Sequence, residues 1–203
     1  MGAEAQCTIT IKGRTAKGRA KLETDVLQFR GGGVSLVVPF SKMKIVTADA
    51  GALAFNAPEG RVVLQLGAAA PRWAHKILHP PSRLQKIGVR ADWRAAALGI
   101  TDQEFLKELQ AAVGFLSIGR AVKHCDAIFF GASRGQQLTR LRQLRASLKP
   151  NGALWVIRPK GRPEISEAEV MAAGKAAGLV DVKVVSFSAT HTAEKFVIPL
   201  ADR

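Results

Sequence analysis

The run Leu144-Arg145-Ala146-Ser147-Leu148-Lys149-Pro150-Asn151-Gly152-Ala153-Leu154-Trp155-Val156 decides how the second half of this chain folds. Leu138, Leu141, Leu144 and Leu148 recur at helical spacing, and Pro150-Asn151-Gly152 predicts the stop. Ala153 to Ile157 is then apolar without alternation, as expected of a strand buried on both faces. Upstream, Ala127-Ile128-Phe129-Phe130 reads as a second buried strand. Further upstream, the Ala-rich run Ala95 to Ile100 precedes a helix start at Thr101, with Glu104 completing a capping box. Phe105, Leu106, Leu109 and Val113 form that helix's apolar face. Downstream, Ser166 and Glu169 make another capping box, and Val182 to Val185 and Lys195 to Ile198 read as strands. Alternating strands and helices predict a mostly parallel sheet covered on both faces.

The first part of the chain has a different rhythm. Cys7 to Ile11, Ala20 to Glu23, Val26 to Arg30, Val34 to Val38, Met43 to Val46, Ala52 to Phe55 and Val62 to Leu66 are short strand candidates separated by Gly, Pro, Asn and Asp. Strands this short need a sandwich or barrel with something closing the open end. A helix from Ala70 to Leu78, with Pro71 in its first turn and Trp73, Ile77 and Leu78 on one side, is suited to that. His79-Pro80-Pro81-Ser82 reads as a linker, which divides the chain into residues 1–80 and 81–203.

The bulk composition narrows the classes. With 47% hydrophobic residues the chain has material for packed cores, and no run approaches the ~20 apolar residues of a membrane span. Met1 to Gln6 resembles neither a secretory leader nor a myristoylation signal, and Cys7 and Cys125 lack partners at metal-ligand spacing. A reduced, cytoplasmic protein is the expectation. The net charge of +14 is shared: 11 Lys and Arg face 5 Asp and Glu up to residue 80, and 19 face 11 after it. That field leaves nucleic acid or acidic lipid open as an anionic partner, beside a protein partner or a second copy of the chain.

On these residues two resemblances rest. The order of short strands, then Val38-Pro39-Phe40-Ser41 leading into Met43 to Val46, then a hairpin and a helix carrying Trp73, resembles the pleckstrin-homology-like fold. Residues 126–198 resemble the C-terminal half of class I S-adenosylmethionine-dependent methyltransferases. The matching passages are Leu144 to Val156, the step Ala177-Gly178-Leu179-Val180-Asp181-Val182-Lys183-Val184, and the terminal strand pair. Arg158-Pro159-Lys160 after the Trp155 strand is similar to a group of short bacterial proteins with a trimmed methyltransferase-like domain. The expected fold class is therefore a pleckstrin-homology-like β-barrel or sandwich with a capping helix, followed by a Rossmann-like, methyltransferase-like α/β sandwich.

The resemblance breaks upstream. Working class I enzymes have a glycine-rich turn after the first strand and an acidic residue ending the second. Here the turn is Gly99-Ile100-Thr101-Asp102, where Ile100 and Thr101 are expected to crowd a ligand, and Gly114 to Ile118 ends in Gly119-Arg120. The sequence reading is thus a non-catalytic binding or interaction protein that holds no cofactor. The alternatives are a divergent methyltransferase using S-adenosylmethionine on an anionic substrate, and a basic binder of nucleic acid or acidic lipid. Arg134, Arg158, Lys160 and Arg162, in loops after two predicted parallel strands, are the candidate anion-binding residues. No catalytic residue and no metal ligand is assigned. His124 and Cys125 are neighbours expected to point to opposite faces, His191 reads as a solvated hairpin residue, and His75 and His79 lack a third ligand.

Overall fold

The computed structural model describes residues 2–203; Met1, where the reading of the amino terminus begins, lies outside them. The chain divides into two compact units, Met1–Pro81 and Ser82–Arg203.

In the first unit seven strands form one sheet: β1 (Ala3–Ile11), β2 (Arg14–Leu22), β3 (Val26–Gly31), β4 (Val34–Pro39), β5 (Lys44–Asp49), β6 (Ala52–Ala57) and β7 (Gly60–Gln65). Its order is β4-β3-β2-β1-β7-β6-β5, and every ladder is antiparallel. Period-two alternation sends Leu27, Phe29, Leu36, Val38, Leu53, Phe55, Val62 and Leu64 into one core. Helix α1 (Ala70–Leu78) adds Trp73 and Ile77 to that core. Gly18 and Gly31 are needed where β2 crosses β3, since a Cβ on Gly31 would lie 2.3 Å from the Gly18 Cα.

The expected pleckstrin-homology-like and Rossmann-like pairing is corrected here. Instead of two packed sheets or a closed barrel, the N-terminal strands make a single curled antiparallel sheet. β1 is long enough to pair with β2 over nine residues and with β7 over its last four, which joins the two halves. β4 and β5 stay as its edges.

The second unit begins with a helix the sequence did not announce, α2 (Arg83–Ile87). Ser82 caps it in a box with Gln85, and Gly88 closes it at φ 83°. Then follow β8 (Arg94–Leu98), α3 (Gln103–Ala112), β9 (Phe115–Ile118), β10 (Cys125–Gly131), α4 (Leu141–Arg145), β11 (Leu148–Pro159), α5 (Glu167–Ala176), β12 (Val180–Ser186) and β13 (His191–Val197). The sheet is mixed, with order β12-β13-β11-β10-β8-β9. The four strands β9, β8, β10 and β11 are parallel, whereas β13 runs antiparallel to both β11 and β12.

Two cores lie on opposite faces of this sheet. One gathers Ile128, Phe130, Leu141, Leu144, Leu154, Val156 and Phe196 beneath α4 and α5. The other gathers Phe105, Leu109, Phe129, Trp155, Ile157 and Phe187 beneath α3. The alanines of β8 are buried on both sides, so their small side chains let a central strand be covered from above and below. Ser166 and Glu169 form the anticipated capping box of α5. Two details differ from expectation. Asp102, not Thr101, caps α3. Pro150-Asn151-Gly152 does not separate helix from strand but sits inside β11 as a register shift, between the Cys125–Leu148 and Ala127–Ala153 pairs. A Cβ on Gly152 would meet the Cys125 carbonyl at 2.7 Å, which fits glycine at that bulge.

Candidate functional site

A doubly wound sheet opens a crevice at the carboxyl ends of its strands, where successive connections leave in opposite directions. In this chain that point lies between β8 and β10, which are sequence-separated by α3 and β9 but adjacent in the sheet. Gly99 ends β8 at φ 66°, a left-handed bend open to glycine at little steric cost. Gly131 ends β10 so close by that a Cβ there would fall 2.2 Å from the Gly99 carbonyl oxygen. These two glycines let the strand ends converge.

A cleft of about 440 Å³ opens above them. Its floor is Gly99 to Asp102 together with Gly131, Ala132 and Ser133. Ile157 and Pro159 of β11 form one wall, and the β12–β13 hairpin supplies Phe187, Ser188, Thr190 and His191 as another. The volume lies within the ~300–1,000 Å³ of small-molecule sites. The mixture of apolar walls and a few convergent polar groups is also typical of them.

The expectation that Ile100 and Thr101 crowd this bend is corrected. Both residues line the cleft, and about 440 Å³ stays open above them. The Ile100 Cδ1 lies 3.2 Å from where a side chain on Gly131 would begin, so the glycine there leaves room for it. The non-catalytic account rested on a filled bend, and it falls with it.

The polar groups of the cleft are anchored. Asp102 Oδ1 accepts from the Phe105 N–H at 2.9 Å, and Oδ2 pairs with Arg83. Burial pushes the Asp102 carboxyl up, but the Phe105 N–H and the Arg83 guanidinium outweigh it and hold the group below the usual range. Arg83 also binds Glu108 at 2.8 Å and lies over the rings of Phe105 and Phe187, 5.2 and 5.5 Å from their centroids. Gln137 Oε1 accepts from the backbone N–H groups of Ser133 (2.7 Å) and Arg134 (3.0 Å) and so fixes the turn after β10. In the hairpin, Ser188 Oγ accepts from His191 N and Thr190 N, and Thr190 Oγ1 lies 2.9 Å from His191 Nδ1.

The four candidate anion-binding residues are elsewhere. Arg158, Lys160 and Arg162 line a separate depression of about 460 Å³ with Glu167 and Thr192; Arg134 is not among the residues lining it. Arg158 is buried and donates to Glu194 Oε1 at 2.9 Å, with Glu167 at 3.6 Å. Lys160 donates to Ser186 Oγ and the Ser188 carbonyl. No Lys or Arg lines the cleft above Gly99 and Gly131 among the described residues. His191, expected as a solvated hairpin residue, lines the cleft instead, and Phe187, which no local signal marks, joins it; only the hairpin's fold-back over the strand ends brings them there. No group of three metal-ligating side chains and no helix long and apolar enough to cross a membrane occurs among the described residues.

The fit to a class I methyl donor can be tested on these residues. An open cleft over a glycine-floored bend suits an extended nucleoside. The carboxylate that usually ends the second strand is missing, because β9 leads to Gly119 and Arg120. Asp102 is the one carboxylate lining the cleft.

No protein-family model matches the chain, and no curated protein matches it. Several solved structures are similar in fold. The Methanococcus jannaschii fibrillarin pre-rRNA processing protein aligns over 86% of this chain and 94% of its own, with 13% identity and a TM-score of 0.41. A SAM-dependent methyltransferase from Aquifex aeolicus aligns over 61% of this chain and 96% of its own, with 19% identity and a TM-score of 0.46. CalO1, a methyltransferase of calicheamicin biosynthesis solved in an SAH-bound form, aligns over 64% of this chain and 57% of its own, with 16% identity and a TM-score of 0.46. Two of these three neighbours are methyltransferases by name. At these values substrate and activity have to be read from this chain's own cleft.

Proposed function

We propose that the chain is an S-adenosylmethionine-dependent methyltransferase whose donor occupies the cleft above Gly99 and Gly131. The observation that carries this is the open cleft at the switch point between β8 and β10, where an α/β sheet of this order presents its ligand site.

When bound, the donor supplies an electrophilic methyl group on a sulfonium. The residues of the chain bind and orient. Gly99 offers bare backbone beside the ligand, and α3 directs its N-terminal N–H groups toward the turn it leaves. Asp102, held by Arg83, is the carboxylate available to the donor's hydroxyl or ammonium groups. Ile100, Ile157 and Phe187 supply apolar walls that exclude water, and Ser133, Ser188 and Thr190 supply short hydroxyls. An anionic substrate is not favoured, because the cleft has no cationic lining. A basic binder of nucleic acid or acidic lipid is not favoured either: three of its four candidate residues line the other depression, where Glu167 and Glu194 offset Arg158.

Isothermal titration of S-adenosylmethionine into the wild-type protein and into Ile100→Trp tests the reading. Saturable binding by wild type, weakened at least about tenfold by the indole placed in the cleft, is the expected result. Equal affinity in both, or no heat in either, overturns it.

A further inference from the structure

The cleft carries one chemical asymmetry beyond its shape. Of the side chains that line it, two titrate: Asp102 and His191. Asp102 is held as a carboxylate by an ion pair, one oxygen accepting from the Phe105 N–H and the other meeting Arg83. His191 is not so paired. It is half-buried, its Nδ1 faces Thr190 Oγ1 at 2.9 Å, and its backbone N–H is held by Ser188 Oγ at 3.0 Å. The hairpin around it is pinned to β11 by the Lys160 N–H on the Thr190 carbonyl (2.8 Å) and the Lys160 ammonium on the Ser188 carbonyl (2.8 Å). An imidazole so placed is a preorganised group, since its ring is set by a hydrogen bond and its backbone by a fixed turn.

We infer that His191 is the proton acceptor of this cleft and that the methyl acceptor it serves is a neutral hydroxyl compound. The inference rests on the donor reading given above. In the tautomer that donates Nδ1–H to Thr190 Oγ1, Nε2 keeps a bare lone pair. As the hydroxyl oxygen takes the methyl, a C–O bond forms and the donor's C–S bond breaks. The hydroxyl proton passes to Nε2, and the donor departs as a neutral thioether. The proton later leaves to solvent. A neutral acceptor fits a cleft with no Lys or Arg lining and with its single carboxylate already paired. A carboxylate acceptor would need no base and would find no fixed cation.

The charged groups facing His191 are few. Asp102 shares the cleft but is neutralised by Arg83. Lys160, from the end of β11, is turned onto Ser186 and Ser188. Lys195, further along β13, lies 5.8 Å over the Trp155 ring. Arg158 and Glu194 pair with each other beneath the α5 face.

The chain has four histidines, so the imidazole Hε1 signals of the full-length protein can be followed by NMR, with His191→Asn assigning one and the other three as internal controls. The chemical shift of the His191 signal is measured with saturating S-adenosylmethionine and, separately, with S-adenosylhomocysteine. A sulfonium beside the ring adds a positive charge that a thioether lacks, so the signal should stand at different positions in the two complexes. Catechol added to the S-adenosylhomocysteine complex should also move this signal, and benzoate at equal concentration should not. If both ligands bind and the signal stands at the same position in each, or if benzoate rather than catechol moves the signal, or neither does, His191 is not the base and the donor reading stands alone. If neither nucleoside perturbs the protein, the donor reading itself has failed.

Discussion

Arg83 and Asp102 are joined across the cleft's rim: the guanidinium of a five-residue helix contacts the carboxylate that caps α3, at 2.5 Å. The Arg83 side chain is 14% exposed and also binds Glu108 and covers Phe105 and Phe187. One side chain therefore steadies the α3 N-terminus and one aromatic wall of the cleft.

Arg83→Met should leave Asp102 and Glu108 without their partner at a partly buried site. Urea denaturation is expected to show a loss of about 2 kcal/mol. Donor affinity should fall as well, because the cap that shapes the turn is loosened. A stability change within about 0.5 kcal/mol would mean that the ion pairs are exchanged for water at no cost.

Asp102 gives a pH signature of its own. Its folded carboxyl is held below the usual range, so its contribution to stability is present above the unfolded value near ~3.9 and is lost as pH falls through the folded value. Asp102→Asn should flatten the acid limb of the stability–pH curve. A limb unchanged in slope would contradict the assignment.

Glu194 behaves in the opposite sense. It is fully buried, and one of its oxygens, Oε2, has no partner. Burial raises its carboxyl above the usual range, and Arg158 only partly offsets that. The group therefore costs stability progressively as pH rises from the unfolded value near ~4.3 through the folded one. Glu194→Gln should remove that decline, whereas Arg158→Met should destabilise by about 3 kcal/mol at neutral pH by stranding the charge. Denaturation midpoints across pH 4–8 check both. A Glu194→Gln protein as pH-dependent as wild type would count against a strained carboxylate.

Gly131→Ala tests the convergence of β8 and β10. The added methyl would have to displace the Gly99 carbonyl, 2.2 Å away, and the Ile100 side chain, 3.2 Å away. Thermal unfolding should report a loss of about 1–3 kcal/mol, and donor binding should weaken with it. Full retention of both would mean that the strand ends separate freely.

Much of the second unit was legible in local sequence because its signals are local. Ser166 and Glu169 are three residues apart and cap α5 as a pair. Ala153 to Ile157 is apolar throughout and lies buried in β11. Where a distant partner decides, the sequence was ambiguous. Thr101 and Asp102 are both good caps, and Arg83, on another helix, selects Asp102. Pro150-Asn151-Gly152 is a stop signal by composition, yet the Cys125 carbonyl packs against it and makes it a bulge. Ile100 is bulky in the linear chain, and only Gly131, on another strand, shows where its side chain goes. The basic loop residues were visible as charges, but the buried Glu194 that occupies Arg158 was not visible as its partner.

The most direct measurement is a crystal structure of the protein grown with S-adenosylhomocysteine. The account predicts the nucleoside in the cleft above Gly99 and Gly131, with Asp102 contacting it and its sulfur directed toward His191. Ligand density seated elsewhere, or a cleft closed by Ile100 with none bound, would contradict it.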